Sequence, residues 1–210
     1  MRKFFLVLLM GGLLLISSVV STQAASVYVD TMVGGTVDDP NGYGDGDAHD
    51  TYIGFELPVD KFKFNVELLT GDWDQDYNPD DDFSGYDIKG GYQIVNNPDL
   101  KLYATLSRYQ RDFDDSDQKF SGTLIGMDAI CNLSKKTNIE GDIGVSLTGK
   151  FEQYGFHQDA DLLNFKVKLN YLLTKDVIAS LGYRYYQFKM DDLDQEVKAE
   201  GLTMGVGFKF

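Results

Sequence analysis

Six aspartates crowd one short stretch, DWDQDYNPDDD at residues 72–82. Clustered carboxylates are the hard oxygen ligands that Ca²⁺ and Mg²⁺ prefer. Asp72, Asp74 and Asp76 carry the opening spacing of an EF-hand loop, but Tyr77 stands where that loop needs Gly and Phe83 where it needs Glu. An EF-hand is therefore excluded. What remains is a weak surface cation site drawn from Asp72, Asp74, Asp76, Asp80, Asp81 and Asp82. The two histidines, His49 and His157, have Asp47, Asp50 and Asp159 close by in sequence, a pairing that acid–base chemistry could use. Histidine beside aspartate in a polar loop is ordinarily just polar surface, and no catalytic residue is assigned. Cys131 is the single cysteine, which excludes an internal disulfide and a cysteine-based metal cluster. No cofactor is expected.

The frame that carries these residues is repetitive. Ten stretches of period-2 alternation run over 26–37, 50–59, 61–72, 84–95, 100–112, 119–132, 138–151, 161–173, 176–189 and 197–210. Each is long enough to cross a bilayer as a tilted strand. Tight connections, PVDK at 58–61, NNPD at 96–99, SKKTN at 134–138 and TKD at 174–176, alternate with five long acidic ones at 38–50, 72–83, 112–118, 152–161 and 190–196. Those five hold 22 of the 33 Asp and Glu, so one end of a meander would carry short turns and the other acidic loops.

The faces decide what surrounds such a meander. In NFKVKLNYLL at 164–173, Phe165, Val167, Leu169, Tyr171 and Leu173 share one side, and Asn164, Lys166, Lys168 and Asn170 the other. KFKFNVELL at 61–69 and IEGDIGVSL at 139–147 repeat the pattern. Ten large apolar rows are too many for the lumen of a ten-stranded barrel. The apolar rows therefore face lipid, and the charges point inward. The predicted fold is all-β: a transmembrane antiparallel up-and-down barrel of ten strands, with eight as the alternative. The inward charge set is Asp30, Glu56, Lys63, Glu67, Asp87, Lys89, Lys101, Glu140, Asp142, Lys150, Lys166, Lys168 and Arg184. Charges in a low-dielectric lumen must pair, so this set is either a salt-bridge network that fills the barrel or the lining of a narrow pore. Glu140 and Asp142 are expected to face Lys166 and Lys168. Tyr52, Phe62, Phe83, Tyr86, Tyr92, Tyr109, Phe151, Tyr171, Phe188 and Phe208 are candidates for interfacial aromatic belts.

The first residues are a separate object. Arg2 and Lys3 precede the apolar run FFLVLLMGGLLLISSVV and the small residues STQAA. That is the order of a secretory signal peptide, assigned to residues 1–25, with the barrel over 26–210. The formal charge of −14 argues against a nucleic-acid partner.

The last strand, GLTMGVGFKF, alternates Leu202, Met204, Val206, Phe208 and Phe210 and ends on Phe210. It resembles the terminal strand of Gram-negative outer-membrane β-barrel proteins, which include small OmpA-type and opacity-type barrels. The resemblance implies residence in a bacterial outer membrane, contact with its lipid and lipopolysaccharide, and recognition of Phe208 and Phe210 by the barrel-assembly machinery. Eight strands are usual in the small members, and ten depart from that. Ten-stranded proteases of the omptin type use Asp and His near their loops. This chain looks too short for their tall barrel and lacks a matching motif, so it is expected not to be an enzyme. The expected role is structural or surface-exposed, with a small passive channel for ions or solutes as the alternative. Cation-dependent surface binding or adhesion is a third reading, and divalent cations at the acidic loops are its partners.

Overall fold

The computed structural model describes residues 24–39, 44–76, 78–190 and 195–210, so most of the predicted leader lies outside the described residues. The described residues form ten strands: β1 Ser26–Asp38, β2 Gly46–Val59, β3 Phe62–Gln75, β4 Asn78–Asn96, β5 Leu100–Phe113, β6 Gln118–Asn132, β7 Thr137–Gln153, β8 Phe156–Leu172, β9 Val177–Met190 and β10 Gln195–Lys209. Each pairs with its sequence neighbour, and β1 closes the ring against β10 from Ser26 opposite Lys209 to Asp38 opposite Lys198. Closure matters because lipid offers nothing for an unpaired backbone N–H or C=O to bond.

Two of the predicted long acidic loops, 72–83 and 152–161, are largely strand. Residues 72–75 belong to β3 and 78–83 to β4, so a single hairpin replaces the loop at 72–83. The segment 152–161 likewise folds as two strands around a two-residue turn. Tyr154 and Gly155 both take positive φ, 48° and 79°, the conformation that the commonest tight hairpin turn demands. The strands therefore run from 13 to 19 residues, well beyond the roughly 9–11 that a bilayer requires. The barrel is tall, which corrects the expectation that the chain is too short for one.

Along this height the faces exchange roles. Toward the short turns the outside is apolar, with Phe62, Phe64, Val66, Ile88, Ile125, Ile143, Leu181, Met204 and Phe208 all exposed. Toward the acidic end the outside carries Asp47, Asp72, Asp74, Asp82, Lys150 and Asp159, and the inside is aromatic. Tyr52, Phe83, Tyr109, Phe151 and Phe188, expected in the outer belts, are instead buried in the lumen. Phe62, Tyr92, Tyr171 and Phe208 do face outward near the short turns, and the Phe62 and Tyr92 rings meet at 5.4 Å.

Candidate functional site: the barrel lumen

Strand alternation delivers one inward side chain every second residue, and ten strands converge these on one axis. In the membrane-spanning part they are mostly ionic. Arg184 of β9 grips Glu67 of β3 with two bonds of 2.6 Å, a bidentate charge-assisted pair. Its guanidinium also lies 3.6 Å from the centroid of Tyr52 and 3.9 Å from Asp30. Asp30 accepts from Lys168 at 3.1 Å and Ser180 at 2.9 Å, and Glu67 from Tyr28 at 2.7 Å. Lys63 bridges Glu56 at 2.8 Å and Asp128 at 2.7 Å, and Lys89 pairs with Asp142.

Apart from Lys63–Glu56 on the adjacent strands β3 and β2, these pairs span the lumen between strands that are not neighbours. Glu140 and Asp142 stand in register with Lys168 and Lys166 on the adjacent strand, as expected. Yet Lys168 turns to Asp30, Lys166 lies 3.6 Å from Glu67, and Asp142 takes Lys89. The network thus ties opposite walls together and fills the space between them. Inward glycines make the room. A Cβ on Gly54 would fall 2.0 Å from the Tyr28 ring, and one on Gly205 would fall 1.9 Å from Asp30 Oδ1.

Above the network the lumen is closed by rings. Phe120 stacks on Phe188 at 4.3 Å and lies 4.9 Å from Phe151; Trp73 and Phe113 meet at 4.7 Å. Within this apolar plug sits a fully buried cation, Arg111. It donates to Asp50 at 3.0 Å, and its guanidinium lies 4.2 Å from the Phe83 ring and 4.8 Å from that of Tyr186. Asp50 also accepts from Tyr52 at 2.6 Å and from the Trp73 indole at 3.2 Å. Ring faces and a shared carboxylate replace the water that Arg111 has lost.

Twelve of the thirteen predicted lumen residues do lie on inward positions of their strands. Lys150 does not. A bulge displaces the register of β7 between Val145 and Lys150, which turns Phe151 inward and leaves Lys150 exposed opposite Asp159. Lys101 is inward but stands at the short-turn mouth, outside the network. Contributors that escaped the sequence reading include Tyr28, Asp50, Arg111 and Asp128. Asp128 and Tyr28 share the parity of inward neighbours and could have been found from it. Asp50 stood where the predicted strand 50–59 meets the acidic connection 38–50, and was read with the latter.

The described members of the predicted cation site are spread over both faces of the sheet. Asp72, Asp74 and Asp82 point outward, and Asp81 is buried inside, where it accepts the Asp115 N–H at 3.0 Å. Asp76 is exposed in the turn, and the Asp80 side chain lies outside the described residues. Among the described residues no three His, Cys, Asp or Glu gather around a metal-sized space. His49 and His157 lie on strands, not loops. His49 is exposed opposite Asp72, and exposed His157 has Nδ1 3.5 Å from Glu152. Phe208 and Phe210 are both exposed on the outer face or end of the last strand.

No family model matches the chain, and no curated protein matches it in sequence. Solved structures match its fold. The outer membrane protease OmpT from Escherichia coli aligns with a TM-score of 0.62 at 9% identity, covering 92% of this chain and 100% of that one. An outer membrane channel from Pseudomonas putida F1 aligns with a TM-score of 0.52 at 10% identity, covering 91% and 97%. At such identities the likeness is one of fold: the outer-membrane β-barrel.

Proposed function

We propose that this outer-membrane β-barrel is a closed barrel with a structural, surface-exposed role, and not a conduit. The observation that carries the reading is the filled lumen. Between Lys63, Lys89, Lys166 and their carboxylates lies a void of about 20 Å³, room for roughly one water. The aromatic plug then stands between that void and the acidic end. In this reading the lipid and lipopolysaccharide of the outer membrane are the immediate partners. Phe208 and Phe210 form the signal to the assembly machinery, and the acidic outer wall attracts divalent cations without a built site. His49 and His157 have no catalytic role, since they sit apart on the exposed wall.

The test is conductance of the refolded chain in a planar bilayer at high salt. Silence is expected while heat-modifiable gel mobility reports a folded barrel. Discrete steps altered by Lys166→Glu would overturn the proposal and make the protein a small passive channel with the inward charges on its path.

A further inference from the structure

Below the charge network, at the short-turn end, the lumen widens into a vestibule of about 300 Å³. Four lysines line it, Lys63, Lys101, Lys168 and Lys209, against two glutamates, Glu56 and Glu140. Lys63 is already held by Glu56 and Asp128, and Lys168 by Asp30. Lys101 and Lys209 are different: among the described residues neither makes an ion pair. They belong to β5 and β10, five places apart in the ring of ten, and so reach the vestibule from opposite walls. Low-dielectric walls around a mouth concentrate the field of charges within it. Glu56 is held by Lys63, and Glu140 is the one lining carboxylate with no ion pair among the described residues, so Lys101 and Lys209 together leave the mouth with a positive surplus.

We propose that this vestibule binds a compact anion bearing a phosphate or carboxylate group, held between Lys101 and Lys209. The size supports a ligand rather than a lone counterion, because about 300 Å³ is the lower end of small-molecule pockets. Asn138 adds a neutral donor: Asn170 Nδ2 donates to its side-chain oxygen at 2.9 Å, which leaves the Asn138 amide N–H groups for a ligand oxygen. The network seals the inner end, so the anion enters and leaves by the short-turn side. It is either a free solute or the headgroup of a lipid in the adjoining leaflet.

The test is equilibrium dialysis of inorganic phosphate against the refolded full chain in non-ionic micelles, with potassium chloride in excess. One saturable equivalent per chain is expected. The Lys101→Gln/Lys209→Gln double variant should bind at least tenfold more weakly, while Lys175→Gln, in an exposed turn, should bind as the parent does. Ile178→Trp fills the vestibule without changing charge and should also abolish uptake, with heat-modifiable mobility confirming the fold of each variant. Repeating the parent titration in phosphatidylglycerol nanodiscs separates the sources. Uptake lost there identifies a lipid headgroup as the occupant, and uptake retained identifies a free solute. Absence of saturable uptake by the parent in micelles, or a double variant that binds as the parent does, would overturn the proposal.

Discussion

The two halves of this barrel have the same strand alternation and opposite chemistry. In β3, Phe62, Phe64 and Val66 face out while Lys63 and Glu67 face in; a few residues on, Asp72 and Asp74 face out while Leu69 and Trp73 face in. The inward–outward alternation never changes along this strand, and its pairing with β4 shifts only between Trp73 and Gln75. What changes is the medium outside. In lipid the apolar row is the outer one and charges must pair across the lumen; in water the same backbone assembles like a soluble protein, apolar inside. Alternation states that a strand has two faces, and the surroundings state which of them is the interior.

The sharpest way to break the comparison is at the ionic half. Arg184→Leu leaves Glu67 and Asp30 with a buried cation missing, and removal of one partner of a buried pair costs about 3–5 kcal/mol. Urea unfolding of the refolded barrel in micelles should register that loss. Replacing the pair together, Arg184→Leu with Glu67→Leu, should recover part of it, because the two charges leave together while Lys166 loses the carboxylate beside it. A double variant as unstable as the single one would mean that the network is held by more than pairing. In the aromatic half the same experiment reads packing. Phe120 is fully buried between Phe188 and Phe151, and Phe120→Ala should cost about 3 kcal/mol, independent of salt. A strong salt dependence in this variant, weaker in Arg184→Leu, would reverse the assignment of the two halves.

How much of this was legible follows from the same contrast. Lipid-facing rows such as those at 62–68, 164–173 and 202–210 are unbroken, so rows of this kind reveal the strands and twelve of the thirteen inward charges. The acidic half could not. Asp and Gly are poor strand formers, and GDAHD at 46–50 or DDDFSG at 80–85 looks like loop until the hairpin partner supplies the pairing. Once those segments count as strand, parity places Asp50 inside with Tyr52. The β7 bulge was illegible for another reason. Ser146 pairs with Leu124 and Thr148 with Thr123, so Leu147 is an extra residue that only the partner strand exposes. That one residue moved Lys150 out of the lumen and Phe151 into it. Ion pairing was misread because neighbours in register are visible in sequence, whereas partners across a lumen are not.

The smallest expected effect belongs to the acidic end and has a definite sign. Asp45, just before β2, shares a hydrogen bond with Asp38, and this bond, followed by desolvation and by repulsion from Asp38 and Asp76, raises its pKa above the ordinary aspartate value. A carboxyl raised in the folded state holds its proton more firmly there than in the unfolded chain. Its contribution to stability is therefore complete below the usual aspartate pKa of about 4 and fades as the pH climbs through the folded value. Asp45→Asn keeps a hydrogen-bond donor beside Asp38 and has no proton to lose. Melting curves of the parent and the variant should therefore run together in acid and separate as the pH rises, with the variant the more stable. The acidic end then behaves as an exposed surface whose charges repel one another. Curves that separate as the pH rises with the parent the more stable would mean instead that the Asp45 carboxylate is stabilised by a cation, and that this end of the barrel is a binding surface after all.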